Sequence, residues 1–253
     1  MLKYFLITLL FLVSLEASAG KSNTKDKFAN YTDPDLSTLT DYVFDSGAVK
    51  LENYPDVVGY LQFKDCTLYQ LAKNDIFVQQ QMMQQISEGQ VERQKQFNRN
   101  LYIKVPAEIA ITKYNFMTQS FDIFPQFQMQ NVGTMVISDV KGYLCDEKGV
   151  VASQKFPSTH VLKLNYPASL YRLPVQSSTA KGFYGSMYAH TRMKHLKSLY
   201  LYIYISIEGV LPKIVRQKSG NSITLLGQMD GIDIYTDPER TKRIKRLDYS
   251  AAY

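Results

Sequence analysis

The sequence predicts an α+β domain in which amino-terminal helices precede a mostly antiparallel β-sheet and a short carboxy-terminal helix closes the chain. Apolar residues recur at helical spacing up to about residue 99, and from residue 100 segments rich in β-branched and aromatic residues follow a period of two. Because no helical segments separate these strands, they should pair antiparallel. We therefore expect one domain over residues 31–253, with a helical part (31–99) and a β-rich part (100–253).

The composition is that of a globular protein with few residues suited to catalysis. The chain has 253 residues, of which 45% are hydrophobic and 21% are charged, so it can bury a sizeable core. A net charge of +6 is too small to indicate a nucleic-acid-binding protein. There are 19 Tyr and 13 Phe but only 3 His and 2 Cys, which favours sheet structure over a metal site.

The first 19 residues have the pattern of a secretory signal peptide. Lys3 is followed by an apolar run over residues 4–15 and by Ala17-Ser18-Ala19, which predicts cleavage before Gly20. Twelve residues of helix span about 18 Å, too short for a hydrocarbon core of about 30 Å. No Cys stands directly after the run, where a lipoprotein would need one. We therefore expect an exported protein, periplasmic or secreted, that is not a lipoprotein and has no transmembrane helix in its mature chain. Residues 20–30 should form a flexible tether.

Three helices are predicted before residue 100. The first follows Thr32-Asp33-Pro34 and ends at Ser46-Gly47, since a capping side chain before a proline is typical of a first turn. The second runs from Pro55 to Lys73, and the third runs from Asp75 into the 90s, where Gly89 could split it.

The β-rich part begins near Leu101. Residues 114–123 indicate a hairpin with Tyr114, Phe116, Phe121 and Ile123 on one face, and the clearest strand is 199–208, in which aliphatic residues alternate with tyrosines. Thr236-Asp237-Pro238-Glu239 resembles a helix start and predicts a basic final helix to about Leu247. The other predicted strands are 135–140, 161–166, 171–175, 223–226 and 231–235.

Common catalytic patterns are missing from the sequence. There is no nucleophile elbow and no glycine-rich phosphate loop, and His190 and His195 are spaced so that they point apart on a helix or a strand. We therefore predict no catalytic, cofactor-binding or metal-binding residues. Asp230, Asp233 and Asp237 leave one enzymatic alternative, a hydrolase with paired carboxylates, although such residues also serve as caps and turn formers.

Cys66 and Cys145 both lie in the expected mature chain, and an oxidising compartment favours a disulfide between them. A loop of about 80 residues would contribute roughly 4.5 kcal/mol in the chain-entropy model. The alternative is two buried thiols that act as small apolar side chains.

Two groups of residues are candidates for a partner surface. The tyrosines of strand 199–208 would suit stacking on sugars or an apolar protein patch, unless helices cover them. Two basic clusters would suit an acidic partner or anionic membrane, unless they are ordinary solvated surface. The candidate residues are Tyr200, Tyr202, Tyr204, Arg192, Lys194, Lys197, Arg240, Lys242, Arg243, Lys245 and Arg246.

Several short motifs resemble a family of exported bacterial proteins catalogued as a domain of unknown function. They are Cys66-Thr67-Leu68-Tyr69-Gln70, Asn74-Asp75, Tyr114-Asn115-Phe116, Phe121-Asp122-Ile123 and Ile234-Tyr235-Thr236-Asp237. The resemblance implies a location in the bacterial envelope. We therefore expect a non-enzymatic periplasmic protein that binds other envelope proteins as part of an assembly such as a secretion complex, with peripheral contact to anionic membrane or cell wall.

Overall fold

Four helices come first in the chain and pack on one face of an eight-stranded sheet. A computed structural model describes residues 26–125, 129–137, 145, 156, 159–217 and 220–249. The helices of this first group are α1 (Leu36–Asp45), α2 (Tyr54–Lys64), α3 (Cys66–Ala72) and α4 (Ile76–Gln96). The later elements are β1 (Leu101–Asn115), β2 (Ser120–Ile123), β3 (Met129–Ile137), β4 (Thr159–Leu170), β5 (Arg172–Pro174), α5 (Ser177–Gly185), β6 (Lys197–Gln217), β7 (Gly220–Tyr235) and β8 (Arg243–Asp248).

Short polar side chains cap each of the first four helices. Asp35 caps α1, Asn53 caps α2 and Asp75 caps α4, each by accepting a hydrogen bond from a first-turn amide. The predicted second helix is two helices, because Asp65 ends α2 in an extended conformation and its side chain accepts hydrogen bonds from the first amides of α3. Gly89 does not split α4.

The strands form one mixed sheet that is mostly antiparallel. Its order is β3-β4-β7-β6-β1-β2-β5, and β8 also pairs with β7. β7 is long enough to have two neighbours along one edge: its first half pairs in parallel with β4, and its second half pairs antiparallel with β8. The chain is therefore α+β, as the sequence predicts.

One face of the sheet forms the core with the helices. The predicted alternation in strand 199–208 is confirmed, since its aliphatic residues are buried in the cluster that includes α1, α2 and α3. The hydroxyl of Tyr42, on α1, donates a hydrogen bond to the carbonyl of Ile207, which ties that helix to β6. The tyrosines of β6 therefore lie on the opposite face.

The prediction of a final helix is wrong, because the chain ends its described part with the strand β8. The carboxylate of Asp237 accepts hydrogen bonds from the amides of Thr241 and Lys242, so it caps a turn and not a helix. Arg240, in that turn, has a φ of 55°. The following residues then pair with the second half of β7. No helix within the described ranges is long and apolar enough to cross a membrane.

Candidate functional site

The tyrosine face of the sheet is covered by an amino-terminal segment, residues 26–32, which we call the strap. Phe28 stacks on Tyr204 with ring centroids 4.1 Å apart, and Tyr31 meets the same ring edge-on at 5.3 Å. Gly231 makes this approach possible, because a Cβ there would lie 2.6 Å from Cζ of Phe28. Thr32 then hydrogen-bonds to the first half of β1, on the side of that strand that β2 does not cover. Tyr204 is consequently buried.

A network of charged side chains fixes the strap to β7 and β8. Asp233, on β7, is fully buried and receives two hydrogen bonds of 2.6 Å from Arg246, one of 3.2 Å from Arg243 and one of 2.9 Å from the Tyr204 hydroxyl. Burial alone would raise the pKa of Asp233, but these hydrogen bonds, first that of Arg246, hold it below its ordinary value. Arg246 also binds Asp26 of the strap. This network is structural.

The other two tyrosines lie under basic side chains. Tyr202 is half-buried, with Nζ of Lys104 5.1 Å and the guanidinium of Arg240 5.0 Å from its ring centroid. Arg240 also donates hydrogen bonds to the carbonyls of Leu201 and Pro238. Tyr200 is buried beside them. The tyrosines therefore do not form an open aromatic ladder.

The remaining predicted basic residues lie at the surface or near it. Arg192 and Lys194 are exposed in the loop before β6, whereas Lys197 is partly buried and donates to the carbonyl of Met187. Lys242 is exposed and Lys245 is partly buried. One cluster thus lies in the loop before β6 and at its first residue, and the other lies in the turn before β8 and on β8 itself.

The three aspartates proposed as a hydrolytic site each accept hydrogen bonds within the fold. Asp230 accepts a hydrogen bond from the hydroxyl of Tyr31, while Asp233 binds arginines and Asp237 binds turn amides. None of them lines a pocket described below. Among the described residues, no group of three or more His, Cys, Asp or Glu side chains could hold a metal ion.

Cys66 and Cys145 form a disulfide, which confirms the predicted pairing. Cys66 begins α3, and the amide of Cys145 donates a hydrogen bond to the carbonyl of Gln62 on α2. The bond thus joins the helical layer to the chain between β3 and β4.

A second surface, which we call the hairpin groove, lies between the β1–β2 hairpin and α5. It consists of two adjoining pockets of about 500 Å³ and about 790 Å³ that share Lys113, Tyr114, Phe116 and Tyr184. The smaller pocket is also lined by Phe121, Ser177, Ala180 and Lys181. The larger one extends to Thr112, Asn115, Met117, Asp122, His195 and Leu196.

The tip of the hairpin presents two large apolar side chains to solvent. The Asn115 side chain accepts hydrogen bonds from the amides of Met117 and Thr118, which closes the turn. Phe116 is 77% exposed and Met117 is 97% exposed, so Phe116 does not lie on the buried face with Phe121. Two large apolar residues in a tight turn, Phe116 and Met117, are the sequence signal from which this site could be predicted.

The comparisons with known proteins define a family but no function. No curated protein and no solved structure is significantly similar to the chain. A family model described as "Domain of unknown function (DUF4852)" matches residues 52–186. The matched region contains both cysteines, the β1–β2 hairpin and α5, and it ends before β6. Because the match covers more than half of the chain, the protein belongs to the DUF4852 family.

Proposed function

We propose that this protein is an exported, non-enzymatic binding protein, an accessory or structural component of a bacterial cell-envelope assembly such as a secretion complex. We further propose that it contacts its partner through the hairpin groove. One observation carries the proposal: Phe116 and Met117 project from a tight turn beside two adjoining pockets with aromatic walls. Clustered exposed apolar side chains next to a concavity are typical of interaction sites.

The position of the groove supports this choice over the tyrosine face. The rings of Tyr200 and Tyr204 are buried, and a partner could reach Tyr204 only after displacing the strap. The residues that line the smaller pocket are all in the region that the family model matches. The smaller pocket of the groove is therefore an accessible aromatic surface within the family domain.

Export is supported by the amino-terminal pattern and by the disulfide. An apolar run followed by Ala17-Ser18-Ala19 is typical of a cleaved leader, and disulfides persist mainly in oxidising compartments. The alternative, a hydrolase at Asp230 to Asp237, has less support, because those carboxylates are used in the strap network and in a turn. A general acid or base would need access to a substrate.

The proposal is tested by replacing the hairpin tip and measuring what co-purifies. A Phe116→Ser, Met117→Ser variant should fold normally and lose at least about fivefold in recovered partner after gentle cross-linking in the native envelope. Phe77→Ser is the matched control, because Phe77 is 79% exposed on α4 and lies outside the groove. Equal recovery from wild type and both variants would reject the groove as the partner site.

A further inference from the structure

Four aromatic rings, each in contact with at least one of the others, line the smaller pocket. Tyr114 lies 5.0 Å from Phe116 and 4.9 Å from Phe121, and Phe121 stacks at 5.6 Å against Tyr184 of α5. Phe121 is buried, and the hydroxyl of Tyr114 donates a hydrogen bond to the carbonyl of Val175. The rings of Tyr114 and Phe121 are therefore held in place before any ligand arrives, which lowers the entropic cost of binding.

The rim of the same pocket is positively charged. Lys113 and Lys181 are exposed, and neither amine has a hydrogen-bond or ion-pair partner among the residues that the structure describes. Among the described residues, no carboxylate lines this pocket. Asp122, which lines the adjoining one, forms an ion pair of 3.0 Å with Arg172. A bound group would therefore meet two uncompensated amines beside an apolar wall.

We infer that the hairpin groove binds a segment of a partner protein in which an aromatic or aliphatic side chain is flanked by Asp or Glu. This inference rests on the proposed function and specifies the chemistry of its partner. The apolar side chain would pack on the rings of Tyr114 and Tyr184, and the acidic residues would face Lys113 and Lys181. Such a segment matches both the apolar wall and the charge of the rim.

A peptide side chain fits the groove better than a flat bilayer or a sugar. The pocket is concave and its lining includes the buried residues Phe121 and Ala180, which a flat surface does not reach. Sugar hydroxyls are usually bound by carboxylate and side-chain amide groups, and neither group lines the smaller pocket in the part of the chain that the structure describes. We therefore assign an acidic, apolar peptide segment as the occupant.

Selection of peptides on the purified, disulfide-bonded protein tests the inference. A phage-displayed library of random peptides is selected against three proteins: wild type, the double variant Lys113→Glu/Lys181→Glu, and the control double variant Lys50→Glu/Lys163→Glu. The two control lysines are exposed, one in the loop after α1 and the other on β4. Wild type and control should enrich peptides with an apolar residue flanked by Asp or Glu. A synthetic peptide from that pool should bind the groove variant at least about tenfold more weakly, and new selections on this variant should favour Lys and Arg.

Several results would overturn the inference. These are an enriched pool without an acidic excess, equal binding of an acidic peptide to both charge-reversed variants, or binding of anionic phospholipid vesicles that depends on Lys113 and Lys181 while no peptide binds. Lys113→Gln, Lys181→Gln replaces the reversed variant if that one is not folded by circular dichroism. The proposed function would survive such a failure if partner recovery still depended on Phe116 and Met117, so the two failures are distinguishable.

Discussion

Replacing Asp233 by Asn should destabilise the fold by detaching the strap from the sheet. Asp233 is fully buried, and its carboxylate accepts hydrogen bonds from Arg246, Arg243 and Tyr204. Asn has nearly the same shape, but it removes the negative charge and turns an amide N–H towards donors that need an acceptor. The change thus leaves two arginines beside a neutral side chain.

The size of the effect follows from burial on each side of the pair. Removing one partner of a fully buried ion pair typically costs 3–5 kcal/mol. Arg246 is about one-quarter exposed and keeps its contact with Asp26, which reduces the penalty. We therefore expect Asp233→Asn to lower the free energy of unfolding by about 3 kcal/mol at pH 7.

Urea unfolding of the disulfide-bonded protein measures this difference. Asp248→Asn is the matched control, because Asp248 also pairs with the strap, at 3.0 Å from Lys27. Both of these side chains are nearly half exposed, so the expected loss of unfolding free energy is below about 1 kcal/mol. The pKa of Asp233 is lower in the folded protein than in the unfolded chain, where it is about 3.9. Its carboxylate therefore stabilises the fold at pH values above about 3.9, and this stabilisation is lost as the pH falls through the pKa of the folded state. The difference in free energy of unfolding between wild type and Asp233→Asn should therefore shrink as the pH is lowered. A loss below about 1 kcal/mol at pH 7, or a gap that widens in acid, would refute this reasoning.

Four further predictions concern the core, the compartment and acid stability. Cys66→Ser should lower the free energy of unfolding by about 2–5 kcal/mol, and reducing the disulfide of wild type should have an equal effect. Identical melting curves of wild type with and without reductant would contradict this prediction. Ile203→Ala should cost about 2–5 kcal/mol by urea unfolding, because its side chain is buried in the core, and a loss below about 1 kcal/mol would exclude that role. Burial lowers the pKa of His160 to about 4, so the free energy of unfolding of wild type should fall by about 3 kcal/mol between pH 7 and pH 4. His160→Leu should lack this part of the pH dependence, and parallel profiles of unfolding free energy against pH would contradict the prediction. Envelope protein should begin at Gly20 by intact-mass analysis, and recovery of full-length chain from cytoplasm alone would reject export.

Elements whose signals are local could be predicted from the sequence. The alternation in 199–208 places its aliphatic residues in the core because side chains of a strand alternate faces whatever its neighbours are. The helices before residue 100 have capping side chains within the same few residues. The break at Asp65 was missed because a capping aspartate inside an apolar helical pattern is easily taken for a surface residue.

Elements that depend on distant residues could not be predicted. Residues 243–248 form a strand because the edge of β7 beyond β4 is open to them and because Arg246 meets Asp233 there. Neither fact is visible in a basic segment that follows a helix-like start. The hairpin groove likewise joins Tyr114 to Tyr184, which lie far apart in sequence and meet only when β2 and β5 pair.

The central claim, that the protein works by binding through the hairpin groove, is tested most directly by site-specific photo-cross-linking in native cells. A photoreactive phenylalanine analogue replaces Phe116 in one strain and the equally exposed Phe77 in another. We predict one dominant protein adduct from position 116, absent from position 77 and weakened by Lys113→Glu, Lys181→Glu. No adduct at position 116, or the same adducts from both positions, would contradict the account.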